Sequence, residues 1–173
     1  ALLATALERN AGYSAPLDAL SRRTLAVFEA AVQCRQRYGQ RAIGDYVVAG
    51  AAGADDILAP LVLARWAGVD DRKSGEVGLD FAPLFETGAS LEASGATLAT
   101  LLAIPAYREH LRARGMPQPV YVGYAEAGRD GGFVAMRVAA YRAQRALHAA
   151  AAGQGVALRL NHARGGNIAR GGA

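Results

Sequence analysis

The sequence predicts an α/β fold: about four parallel strands with helical crossovers, arranged as a helix-rich partial (β/α)8 barrel or as a four-stranded open sheet. Three observations lead there. First, four short apolar runs, Tyr46-Val47-Val48-Ala49, Phe81-Ala82-Pro83-Leu84-Phe85, Val120-Tyr121-Val122-Gly123-Tyr124 and Val156-Ala157-Leu158-Arg159-Leu160, each end in a turn rich in glycine or polar residues. Second, with Gly50, Glu86, Glu126 and His162 as strand ends the spacings are 36, 40 and 36 residues. A strand that returns parallel to its predecessor needs a crossover of this kind, usually helical. A barrel of ~250 residues averages roughly 31 per unit, so these units leave room for extra helices. Third, 52% of the 173 residues are hydrophobic and 20% are charged, the balance of a globular chain. No run of eighteen apolar residues is free of charge or glycine, which excludes a transmembrane helix and a membrane partner.

Taken in order, residues 1–44 read as a helical lead-in and 45–173 as the partial barrel, a catalytic segment of a longer chain. Residues 16–38 form a long helix with Leu17, Leu20, Val27, Phe28, Ala31 and Cys34 on one face, ended by Gly39. Asp55-Asp56 follow the first strand and open a helix over 57–66, where a helix N-terminus favours negative charge. Helical patterns over 91–102 and 106–114 follow the second strand. After the third, the turn Gly128-Arg129-Asp130-Gly131-Gly132 opens a helix through Phe133, Met136, Ala140, Gln144 and Leu147. His110 and His148 lie among Arg and Ala and read as solvent-facing. Trp66 reads as core, and Tyr124 as core or barrel wall.

The single cysteine, Cys34, excludes an internal disulfide and any cysteine-based zinc site, so a reducing cytoplasmic setting is expected. Its stripe with Leu20, Val27 and Ala31 makes it a small core residue. Charge is unevenly spread. Residues 1–100 carry nine Arg/Lys against twelve Asp/Glu, whereas residues 101–173 carry ten Arg against three acids. A basic second half suits an anionic partner: phosphate, carboxylate or nucleic acid.

In either architecture the C-terminal strand ends carry the chemistry. Those ends hold Glu86, Glu126 with Arg129-Asp130, and His162-Ala163-Arg164. Two carboxylates with room for water and substrate oxygens are a usual Mg²⁺ or Mn²⁺ arrangement. Read singly, each Glu is equally a partner for a helix N-terminus. The last loop, Arg164-Gly165-Gly166-Asn167-Ile168-Ala169-Arg170-Gly171-Gly172, combines closely approaching backbone N–H groups with two guanidinium forks, a cradle for an anion. A disordered nucleic-acid tail competes with that reading, but the segment follows a strand directly and lacks stacking aromatics.

These residues also carry a resemblance. Tyr46-Val47-Val48 with Asp56-Ile57-Leu58, then Pro83-Leu84-Phe85-Glu86-Thr87, then Gly123-Tyr124-Ala125-Glu126-Ala127-Gly128-Arg129-Asp130-Gly131-Gly132, then His162-Ala163-Arg164-Gly165-Gly166 resemble phosphoenolpyruvate carboxylase of the bacterial and plant type, in order and spacing, over 45–173. The resemblance implies a helix-rich (β/α)8 barrel, a much longer cytoplasmic chain and a homotetramer. The implied partners are phosphoenolpyruvate and bicarbonate, converted to oxaloacetate and phosphate, with no nucleic acid. By the same resemblance Glu86 ligates the divalent metal, Mg²⁺ or Mn²⁺, and Glu126 stands at the second ligand, an aspartate in the family. Arg164 matches the arginine that grips the substrate phosphate, with His162 its neighbour and Gly165 and Gly166 in the substrate-binding loop. Arg170 matches the arginine of bicarbonate handling and feedback inhibition by aspartate, and Arg129 replaces a lysine near the substrate. Ala163 and Ala169 replace glycines, and Ala125 a serine. A catalytically degenerate paralogue that keeps the metal and anion pocket for a regulatory or scaffold role is the alternative.

Overall fold

Short apolar runs closed by turn residues form strands, whose side chains alternate between the two faces of a sheet. In a computed structural model, which describes residues 2–9, 16–39, 42–71, 76–115 and 117–164, all four expected runs do so. The elements are α1 (Leu2–Arg9), α2 (Ala19–Tyr38), β1 (Asp45–Val48), α3 (Asp55–Trp66), β2 (Asp70–Asp71), β3 (Glu76–Val77), β4 (Asp80–Phe85), α4 (Gly88–Leu102), α5 (Pro105–Arg114), β5 (Gln118–Gly123), α6 (Ala125–Gly153) and β6 (Leu158–Ala163). The main sheet has the order β1-β4-β5-β6 with every pair parallel. It is open, not closed on itself. A two-stranded antiparallel ladder, β2 with β3, was not expected from the sequence.

The two faces of the sheet differ. Phe81, Phe85, Val120 and Val122 are fully buried beneath the helices, and Tyr46 stacks between Phe28 of α2 and Phe81 at 4.9 and 5.8 Å. On the other face Val47 is exposed, and Leu84, Tyr121, Arg159 and Asn161 are half-buried. That face is concave. Asp45 of β1 accepts hydrogen bonds from the Tyr121 hydroxyl at 3.0 Å and from the Arg159 guanidinium of β6. In a flat sheet three spacings of about 4.8 Å would hold β1 and β6 about 14 Å apart, so the contact requires the sheet to curl. Desolvation, followed by the hydrogen bond to Asp45 and its charge, raises the Tyr121 phenol above its ordinary value.

Several helices depart from expectation in ways with identifiable causes. α2 starts at Ala19 because Asp18 caps it, its carboxylate accepting the Ser21 N–H at 2.7 Å, which also lowers the carboxyl pKa. Its buried stripe is Leu25, Phe28, Ala31 and Arg35, whereas Leu20 and Val27 are 73% and 54% exposed and Cys34 is half-buried. An arginine belongs to the buried stripe because its guanidinium donates to the Ile43 carbonyl, and this charge disguises the true face. Gly128-Arg129-Asp130-Gly131 is helical, part of α6, and the break falls at Gly132 alone, at φ 79° and ψ 173°, a conformation that needs the missing Cβ. His110 is buried at 1% exposure instead of facing solvent, and Trp66 is half-buried against the core. Among the described residues no single helix is long and apolar enough to cross a membrane.

Candidate active site

Parallel pairing brings every strand's C-terminal end to one rim, and the residues just beyond those ends face each other across it. Glu86 follows β4 directly. Its backbone N–H donates to the Ser90 hydroxyl at 3.0 Å, and Thr87 caps α4 in a reciprocal box with Ser90. The α4 cap therefore comes from Thr87 and Ser90, and the Glu86 carboxylate is left for other work. One of its oxygens accepts the Gly50 N–H, beyond β1, at 3.1 Å.

Glu126 lies in the first turn of α6, beyond β5. The backbone stitches it to Glu86: the Ala127 N–H donates to the Glu86 carbonyl at 2.8 Å. The approach is possible only because residue 123 is glycine. A Cβ there would stand 2.5 Å from the Glu86 Cβ and 3.0 Å from its Cα. A second tie joins the start of α4 to α6, with the Gly88 N–H donating to Asp130 at 3.3 Å. The Glu126 carboxylate is held by Arg129 at 2.8 and 3.0 Å. The two side chains are 41% and 76% exposed. Such a pair is worth about 0–1 kcal/mol, so releasing the carboxylate to another cation costs little.

β6 brings His162 and Arg164 to the same rim. His162 pairs in register with Val122 and Ala163 with Gly123. Glu86 continues the concave-face alternation, so His162 leaves its strand on the opposite, helix-side face. Its Nδ1 lies 2.7 Å from the hydroxyl of Tyr124, which is 5% exposed. Arg164 follows β6 and is exposed. Gly165, Gly166 and Arg170 lie outside the described residues. Ala163 is an ordinary strand residue, so its methyl group meets no backbone penalty of the kind a left-handed position imposes.

Among the described residues no three His, Cys, Asp or Glu side chains converge as a metal cage. Mg²⁺ does not require one: it is usually held by one or two carboxylates and completes its octahedron with water and phosphate oxygens. Glu86 and Glu126, each with only weak prior engagements, fit that donor set. The sequence flagged both carboxylates, His162 and the basic residues. It did not reveal the Gly50 amide on Glu86, the spatial need for Gly123, or the Tyr124 hydroxyl on His162. Such partners lie a whole strand–helix unit away along the chain.

Comparison with known proteins addresses the family. The family model described as phosphoenolpyruvate carboxylase matches residues 2–173. The chain is 49% identical over 148 residues to the phosphoenolpyruvate carboxylase of Xanthomonas campestris pv. campestris (strain 8004), covering 85% of this chain and 16% of that protein. It is 40% identical over 148 residues to that of Roseiflexus castenholzii (strain DSM 13941 / HLO8), covering 86% of this chain and 16% of the relative. To that of Mycobacterium avium (strain 104) it is 39% identical over 165 residues, covering 93% and 17%. The chain thus spans about a sixth of the length of the curated relatives it matches.

Proposed function

Because this chain belongs to the phosphoenolpyruvate carboxylase family, we propose that it supplies part of the site where phosphoenolpyruvate and bicarbonate become oxaloacetate and phosphate. The four curled strands are then one portion of a (β/α)8 barrel, in a cytoplasmic homotetramer. The observation that carries the reading is the Ala127-to-Glu86 backbone bond, which sets the two carboxylate-bearing residues side by side at the strand-end rim.

In the overall reaction a bicarbonate oxygen attacks phosphorus, the bond from phosphorus to the enol oxygen breaks, and carboxyphosphate and the pyruvate enolate result. Carboxyphosphate then divides into phosphate and CO₂, and the enolate carbon captures the CO₂. Glu86 and Glu126 would hold Mg²⁺ or Mn²⁺, which when bound would supply positive charge to stabilise the phosphate and the developing enolate. Arg164 grips the phosphate through its planar fork, and the amides of Gly165 and Gly166 cradle it. Arg170 holds bicarbonate. Arg129, exposed, exchanges its contact with Glu126 for the substrate's negative charge. The strand-end rim keeps Glu86 and Glu126 side by side, which favours reaction by proximity.

The test is oxaloacetate formation by the full natural polypeptide carrying this chain, followed through malate dehydrogenase and NADH with millimolar phosphoenolpyruvate, bicarbonate and Mg²⁺. Turnover is expected, and Glu86→Gln lowers it about 10²–10³-fold, the usual cost of removing charge stabilisation from such a site. An unmodified protein that yields no oxaloacetate rules the reading out.

A further inference from the structure

We propose that Tyr124 is a positioning residue: it fixes the tautomer of His162 and so presents the ring's Nε2–H at the rim as a hydrogen-bond donor to a phosphate oxygen of the substrate. This rests on the reading of the rim as a phosphate-handling site.

The argument begins with the hydroxyl. Tyr124 is buried, and the His162 Nδ1 at 2.7 Å is its only hydrogen-bond partner among the described residues. A phenol has one proton to donate, and a buried donor left unmatched costs about 1–3 kcal/mol. If Nδ1 carried the hydrogen and donated to the phenol oxygen, the phenol's own proton would have no partner. The arrangement that satisfies both groups has the phenol donating to a bare Nδ1, which leaves the hydrogen on Nε2. Which nitrogen of a histidine is protonated is set by the hydrogen bond made by the other.

Geometry shows that this is a directed hydrogen bond and not a stack. The ring centroids are 5.8 Å apart and the planes are inclined by 40°. Tyr107 and His110 supply an internal control with nearly the same centroid separation, 5.7 Å. There the phenol donates to Gln118 at 2.7 Å and both histidine nitrogens are left without partners. Closeness of the two ring types therefore does not produce the bond. At the rim it spans the β5–α6 junction and the last turns of β6, immediately before Arg164. His162 is exposed while its Nδ1 is engaged by a buried residue, so the free edge of the ring is the one bearing Nε2.

Three variants of the full natural polypeptide test the assignment: Tyr124→Phe, His162→Gln and the two combined. A glutamine amide supplies an N–H near the Nε2 position and has no counterpart of Nδ1. Tyr124→Phe is expected to lower kcat/KM for phosphoenolpyruvate about tenfold, the scale of one hydrogen bond. In the His162→Gln background the same change is expected to move it less than twofold. A purely structural tyrosine would act equally in both backgrounds, and that additivity overturns the proposal, as does a Tyr124→Phe variant with unchanged kcat/KM. Histidine ring ¹⁵N spectra, with His162 assigned by its loss in His162→Gln, give a second readout. A single Nε2–H tautomer that becomes a mixture in Tyr124→Phe is expected, and a mixture already present in the unmodified protein overturns the assignment. Failure of carboxylation in the unmodified protein would strike the proposed reaction instead, because the ring nitrogens report the tautomer without turnover.

Discussion

The two ends of the same four strands use the same side chains for opposite purposes. At the N-terminal end Asp80 and Arg114 form a pair at 2.6 Å with side chains 3% and 15% exposed. Beside it, Tyr107 donates to Gln118, and Gln118 in turn donates to the carbonyls of Phe81 and Pro119 at 3.1 and 2.7 Å. At the C-terminal end the carboxylate–guanidinium pair Glu126–Arg129 opens toward solvent, and buried Tyr124 holds a histidine, His162, whose outer edge is exposed. Burial decides the role. A sealed pair has lost its water and can only hold the fold, whereas an exposed pair can exchange its partner for a ligand.

The largest way to break this contrast is to delete one carboxylate from each end. Asp80→Ala is expected to destabilise the fold by about 3 kcal/mol, because it removes a buried carboxylate that accepts from the Arg114 guanidinium. Glu126→Ala is expected to cost less than about 1 kcal/mol. Urea unfolding of the two variants compares them directly, and equal losses would erase the distinction between the ends. Next in size is Gly123→Ala, which forces a methyl group to within 2.5 Å of the Glu86 Cβ. A loss of about 1–3 kcal/mol is expected from this overpacking, together with reduced turnover as Glu86 is displaced; stability and kcat measured on the same samples check both.

The smallest effect sharpens the contrast through pH. Burial, with Arg65 and Arg114 nearby, lowers the His110 pKa from its ordinary 6.5 to about 3. Between those values the unfolded chain binds a proton that the folded chain refuses. His110 therefore contributes stability that is fully present above about pH 6.5 and is lost as pH falls toward 3, with a limiting slope of about 1.4 kcal/mol per pH unit. His110→Leu should flatten that part of the profile, as unfolding midpoints at pH 7 and pH 5 would show. An unchanged slope would place the titrating group elsewhere.

The strands were legible because each reads as a short apolar run closed by turn residues, and their spacing announced the crossovers. The face of α2 was misread because Arg35 buries its charge by donating to the Ile43 carbonyl, which no periodicity count reveals. His110 was misread for the converse reason: Arg108, Glu109 and Arg112 around it mark a solvent face, yet its own ring packs against Phe81 and Tyr107. The β2–β3 ladder has two residues per strand, too few to show alternation. At the rim, residue types exposed Glu86, Glu126 and His162, since ionisable groups after apolar runs stand out. Their partners Gly50 and Tyr124 carry no such mark, because an amide or a phenol in a strand-end turn is ordinary until the fold supplies its neighbour.

The brace between Asp45 and Arg159 joins residues 114 apart in sequence. A contact of such separation closes only after the intervening strands have found their register, and it is among the slowest a chain can make. The sheet's curvature is therefore a late acquisition in assembly. A nascent chain halted before β6 emerges would hold β1 through Tyr121 alone, leaving the Asp45 oxygen that Arg159 engages to solvent until β6 docks.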